Sequence, residues 1–278
     1  MSQKSDKQIF FHVGLGKTAS TYLQKKVFPF FEDVEYIQRA GRYANAVEII
    51  ANGTSERYFI SREFDQQFEH EVKKFAVHYP DAKVIIVFRR QDGWIASQYR
   101  RFFKNGHVIP FNQFFDLKND TGIFKKIDLT FYHYIELTEK YFTQKPLVLF
   151  YDDLRKDPMA FFDVFADTVG VKYDKQKINL DKKHSSYSEK QLKTLKKVGE
   201  VINLRKDNMK YPSLYPIRRF YTNLIRYTTL FVGKLIPDSW FSKEPLIDPN
   251  ELKEVRDYYE ADWKKVQEYA RANNSKSV

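Results

Sequence analysis

Ile9-Phe10-Phe11-His12-Val13-Gly14-Leu15-Gly16-Lys17-Thr18-Ala19-Ser20-Thr21-Tyr22-Leu23-Gln24 decides how the rest of the chain reads. An apolar run leads into two glycines and a lysine, and hydroxyl residues then open a helical pattern. That order predicts a strand at about 8–13, a phosphate-cradling loop, and a helix from about 20 to 28 that closes near Pro29. Backbone N–H groups at such a turn point toward an anion, and the helix dipole favours one. Lys17 adds a mobile positive charge, and Thr18, Ser20 and Thr21 add hydroxyls.

Working outward, the strongest buried-strand signal is Lys83-Val84-Ile85-Ile86-Val87-Phe88, almost wholly apolar and β-branched. Shorter runs at 34–37, 58–61 and 147–151 read as further strands. Between them, helical spacing is predicted over 42–51, 64–78, 93–103 with Asp92 as cap, 130–142, and 161–169 ended by Gly170. Strands alternating with helices define an α/β fold: a three-layer parallel sheet flanked by helices. Ligands of such sheets bind beyond the carboxyl ends of the strands. Lys17, Glu63, Arg89 and Asp152 each follow such an end. Beyond residue 182 the pattern is helical, with 188–204 clearest and a last helix over 249–272. The 278 residues therefore read as one domain, with a core over about 8–205 and a helical C-terminal subdomain over about 206–278.

Composition narrows the function. Lys and Arg exceed Asp and Glu by 47 to 36, a net charge of +11, so an anionic ligand or partner is expected. The absence of cysteine excludes disulfides, Cys-ligated zinc and thiol catalysis. No leader-like segment and no 18-residue apolar run stands out, which favours a soluble cytoplasmic protein. The basic residues are spread along the chain without a nucleic-acid motif, so a nucleic-acid partner is the weaker alternative.

The loop is not that of a nucleoside triphosphatase. Such a loop needs Gly-x-x-x-x-Gly-Lys-Ser/Thr, and although Gly16-Lys17-Thr18 fits its end, the first glycine position is Phe11. This argues against the alternative of an ATP-dependent kinase with magnesium. A second constellation lies at 88–100. Arg89 at a strand end and Ser97 eight residues on offer a charged fork and a hydroxyl, a set suited to a phosphate monoester.

Together the two stretches resemble the sulfotransferases that use 3′-phosphoadenosine 5′-phosphosulfate (PAPS). Lys17-Thr18-Ala19-Ser20-Thr21-Tyr22-Leu23 is similar to that family's Lys-x-Gly-Thr-Thr-x-Leu loop, and Arg89 with Ser97 to its Arg-x7-Ser motif. The stretch from Leu147 to Pro158 resembles its Tyr-Glu-Asp-Leu-x-x-x-Pro turn, and 184–188 its Asn-x-Ser segment before a late helix. Ala19 stands where the family has glycine, which suits a loop with negative φ there. Ser20 stands for a threonine and keeps the hydroxyl.

The resemblance implies PAPS as co-substrate, no metal, and a carbohydrate or glycolipid acceptor. Lys17 would offset charge on the leaving phosphate. Gly16, Lys17, Thr18, Ala19, Ser20 and Thr21 would hold the 5′-phosphate, Arg89 and Ser97 the 3′-phosphate, and His184 would help hold the nucleotide. Glu63 is the first choice of base, after related glycan sulfotransferases with a Glu or His beyond the second core strand. His12 is the second choice, although a structural histidine is the plainer reading at a strand end. The aromatic and basic segment 215–240 reads as a packing helix with a solvated basic face. A peripheral membrane contact is its alternative reading.

Overall fold

The computed structural model describes residues 7–180, 187–205 and 212–274. The chain divides into two compact units: 1–91 with 127–181 and 259–278, and 92–126 with 182–258. The division is discontinuous in sequence.

The first unit is built on five strands: β1 (Gln8–Gly14), β2 (Glu35–Gln38), β3 (Arg57–Glu63), β4 (Lys83–Phe88) and β5 (Leu147–Phe150). They lie parallel in the order β2-β3-β1-β4-β5. Thirteen α-helices are present among the described residues. Those up to β4 are α1 (Ser20–Lys26), α2 (Arg39–Tyr43), α3 (Ala46–Asn52) and α4 (Phe68–Ala76). After β4 come α5 (Gln91–Lys104), α6 (Phe111–Phe114) and α7 (Phe131–Tyr141). After β5 come α8 (Tyr151–Lys156), α9 (Pro158–Val169), α10 (Glu189–Val201), α11 (Tyr215–Leu235), α12 (Pro249–Tyr258) and α13 (Glu260–Asn273).

Successive side chains of a strand point to opposite faces, so each strand here feeds two cores. Phe59, Ile85, Val87, Leu147 and Leu149 pack with Leu23 of α1, with Val27 just after it, and with Phe161, Phe162 and Phe165 of α9. On the other face Phe11 packs against Phe75 of α4, and Phe88 stacks on Phe131 of α7. This is the three-layer α/β arrangement expected from the alternation of strands and helices.

Local chemistry explains most boundaries. Asp157 caps α9 through the Ala160 N–H, and Pro158 occupies its first turn, so the helix begins earlier than 161. Gly170 closes it in the left-handed region with φ 72°. Ser188 and Gln191 form a capping box on α10. Asp92 is not the cap of α5, which starts at Gln91. Its carboxylate instead accepts from Arg256 at 2.7 and 2.9 Å.

The expected last helix over 249–272 is two helices broken at Tyr259. α12 belongs to the helical unit and α13 to the sheet unit. In the latter, Asp262 of α13 accepts the N–H groups of Phe131 and Tyr132 at 2.8 and 3.1 Å, and it also accepts from the buried Gln91 amide. It fills the capping role that Thr130 does not perform on α7.

The second unit is helical. α11 packs on α10 where Gly233 approaches Thr194 so closely that a Cβ would lie 2.7 Å from its hydroxyl. Gln191 Nε2 donates to the Leu230 carbonyl at 2.8 Å. The opposite face of α11 exposes Ile217, Phe220, Tyr221, Leu224, Phe231 and Leu235. No helix among the described residues is long and apolar enough to cross a membrane.

Candidate functional site

The connection after β1 leads toward β2 and β3, whereas that after β4 leads toward β5 on the other side. The chain therefore reverses direction between β1 and β4, and the carboxyl ends of these two strands frame a crevice of the kind in which open α/β sheets bind ligands. The loop 15–19 leaves one of these ends and Arg89 the other.

The loop is shaped by unusual backbone. Lys17 has φ 74° and Ala19 φ 65°, both left-handed, a conformation that costs a non-glycine residue about 1–2 kcal/mol. The negative φ expected at Ala19 is thus overturned: this loop keeps the conformation that suits a glycine and bears a methyl group there. Ala19→Gly is expected to raise the unfolding free energy by roughly 0.5–1 kcal/mol, because relief of strain exceeds the added freedom of the unfolded chain. Chemical denaturation measures it, and a lower midpoint for the glycine variant would show that residue 19 is unstrained.

Thr18 is fully buried, and its hydroxyl donates to the Leu15 carbonyl at 2.7 Å and lies 3.1 Å from Ser20 Oγ. It shapes the loop rather than facing the crevice. Gly16 N–H donates to Asp65 Oδ1 at 2.8 Å, so a phosphate taking this N–H must displace that carboxylate. The loop then enters α1 at Ser20 and Thr21, whose N–H groups lie in the first helical turn and have no intrahelical acceptor. α1 has only seven residues and no acidic side chain in its first turn. Lys17 is therefore the main source of positive charge on the loop.

His12 lies beneath the loop, fully buried among Phe28 and Phe165 edges. Burial pulls its pKa down to about 3, and the ring is neutral at pH 7. Nδ1 is 2.7 Å from Ser61 Oγ, which also accepts from Gln24 Nε2 at 3.1 Å. Nε2 has no partner among the described residues and sits against Gly14, where a Cβ would lie 3.4 Å from it and 2.7 Å from Ser20 Oγ. No solvent reaches the His12 ring, which supports the loop from below.

Glu63 ends β3 as the direct partner of Gly14 across the β1–β3 ladder. Phe64 N–H donates to the Gly14 carbonyl at 2.9 Å, extending the pairing past the strand ends. Thr21 Oγ1 donates to Glu63 Oε1 at 3.4 Å, so the carboxylate lies beside the first turn of α1. Strand alternation turns Arg62 to the other face, where its guanidinium lies 5.9 Å from the Tyr43 ring centroid.

Arg89 follows Phe88, the partner of Phe150 in the β4–β5 register. Its guanidinium stacks over the Tyr151 ring at 4.8 Å. Tyr151 is a functional-site candidate not named among the expected site residues; its signals were the Tyr position of the Tyr-Glu-Asp-Leu-like turn and its place directly after a buried strand. Arg90 pairs with Glu260 of α13. Asp152 and Asp153 occupy the first turn of α8, and burial together with Asp152 raises the Asp153 pKa. Ser97 is a half-buried residue of α5 in the helical unit. His184 lies outside the described residues.

The sheet and loop define a P-loop-like α/β protein. No family model matches the chain, and no curated protein does. Among solved structures, it is similar to a sulfotransferase from Alicyclobacillus acidocaldarius, with 12% identity and a TM-score of 0.49 over 63% of this chain and 87% of that one. It is also similar to mouse sulfotransferase SULT7A1 complexed with PAP, with 13% identity and a TM-score of 0.39 over 74% and 69%.

Proposed function

We propose that the chain is a PAPS-dependent sulfotransferase acting on a hydroxyl of a carbohydrate or glycolipid. What supports this reading is that β3, β1 and β4 adjoin in the sheet, so that the Lys17 loop, Glu63 and Arg89 all follow the carboxyl ends of neighbouring strands. A basic loop at one strand end and an arginine at the next suit a nucleotide with a phosphate at each end. Lys17 with the hydroxyls and N–H groups of Ser20 and Thr21 would hold the 5′-phosphosulfate. Arg89, oriented on Tyr151, would hold the 3′-phosphate in a charge-assisted fork. Ser97 is assigned to the same phosphate by the Arg-x7-Ser spacing alone.

In the reaction, the acceptor oxygen forms a bond to sulfur as the bond from sulfur to the bridging phosphate oxygen breaks. The acceptor proton passes to Glu63, and Lys17 offsets the charge left on the phosphate. The products are the sulfated acceptor and 3′,5′-adenosine bisphosphate.

Calorimetry with 3′,5′-adenosine bisphosphate, ATP with magnesium, and an oligonucleotide tests the reading. The bisphosphate is expected to bind most tightly, and Arg89→Ala to weaken it about 10- to 100-fold, as loss of a charge-assisted fork should. Equal or tighter binding of ATP with magnesium would turn the assignment toward a kinase, and preference for the oligonucleotide toward a nucleic-acid-binding protein.

A further inference from the structure

The helical unit contains a cavity of about 400 Å³ lined by residues of α11, the turn after α5 and the segment after α10. Arg205, Arg218, Arg219 and Arg226 line it, and among the described residues no aspartate or glutamate does. The segment Tyr215–Leu235 itself carries no acidic residue. A lining this rich in guanidinium groups favours an occupant that supplies negative charge.

The hydrogen bonds around Arg226 show what is missing. Its Nη2 donates to Asn223 Oδ1 and its Nη1 to Asn105 Oδ1 at 3.5 Å, both uncharged acceptors. Its Nε is buried with no acceptor among the described residues. A buried donor on a charged group without a partner is costly, and an oxyanion would satisfy it.

The cavity is also built by specific backbone. Gly106, with φ 91°, lets the turn between Asn105 and His107 approach Leu204, where a Cβ would lie 2.6 Å from the Leu204 carbonyl carbon. Thr222 Oγ1 donates to the Arg218 carbonyl at 3.0 Å, fixing the turn that carries Arg218 and Arg219. Tyr215, Tyr227 and Leu204 provide apolar and aromatic wall. This size and mixture suit a small molecule with a ring and one strong anionic group.

We propose that this cavity binds an oxyanion, a phosphate or sulfate ester, carried on a sugar-sized molecule. The arginines would grip the oxyanion by forked donation, and Tyr215 and Tyr227 would face the sugar ring. The assignment goes beyond the nucleotide-binding reading and does not depend on it. If the chain is a sulfotransferase, it directs the acceptor search toward acidic sugars.

Calorimetry on the full chain with inorganic phosphate, glucose 6-phosphate and glucose tests it. Glucose 6-phosphate is expected to bind more tightly than inorganic phosphate, glucose is expected not to bind, and binding should weaken as salt rises. Arg226→Gln should weaken glucose 6-phosphate by at least about tenfold, the scale of a lost charge-assisted bond. Arg219→Gln, at an exposed position, gives the same direction if Arg226→Gln fails to fold. Lys17→Ala should leave this binding unchanged. Unaltered binding in both arginine variants, or binding lost in Lys17→Ala instead, overturns the proposal, as does the absence of any glucose 6-phosphate binding. These outcomes are read separately from bisphosphate binding, so the failure of one assignment does not pass for failure of the other.

Discussion

Lys17→Ala is expected to lower sulfonate turnover by roughly 100- to 1,000-fold, the usual effect of removing one electrostatic stabiliser of a developing oxyanion. Lys17 stands on the loop that leaves the carboxyl end of β1, and its left-handed φ of 74° aims the residue out of the helical path that starts at Ser20. Alanine keeps the Cβ, so the backbone strain is similar in variant and parent and the comparison isolates the ammonium. A role in the transition state requires kcat to fall more than the affinity for 3′,5′-adenosine bisphosphate. Steady-state kinetics with calorimetry of the bisphosphate separates the two. An unchanged kcat with weakened nucleotide binding would reduce Lys17 to an anchor.

Glu63→Gln is expected to cost about 100- to 10,000-fold in turnover, the range for a positioned general base, while leaving bisphosphate affinity nearly unchanged. Glutamine retains the size and an acceptor oxygen for Thr21, so the contact beside α1 persists in kind. What it loses is the ability to take a proton. Because Glu63 pairs directly with Gly14 in the ladder, its place relative to the loop is set by backbone bonds rather than by a flexible segment. Turnover in Glu63→Gln at the parental level would remove Glu63 from the mechanism. His12, the other candidate base, is buried, and its lowered pKa leaves it a weak proton acceptor.

Much of this site is legible in the sequence because it rests on local patterns. The glycines and lysine after an apolar run mark the loop, and the β-branched run 83–88 marks the strand that carries Arg89. Glu63 and Arg89 are identifiable as strand-end residues for the same reason. Tyr151 is not, because its contact is with a residue 62 positions earlier, brought close only by the β4–β5 pairing. The capping of α7 by Asp262 is likewise invisible locally, since the cap comes from the far end of the chain. The Arg226 environment escapes sequence reading too: the arginine pattern of α11 shows charge, and only the packed turns around Gly106 show that it surrounds a cavity.

By itself the sequence determined the strand-loop-helix opening, the parallel α/β class and the excess of positive charge, because periodicity and turn chemistry act over a few neighbours. Tertiary structure alone decided the order β2-β3-β1-β4-β5, and with it the crevice between β1 and β4. It also placed His12 under the loop and not in it, held Ala19 in a left-handed conformation, and divided 249–272 between two units. Each of these depends on which distant segments pack together. The free energy of burying their surfaces and pairing their backbone groups exceeds the one or two kcal/mol by which local preference resists.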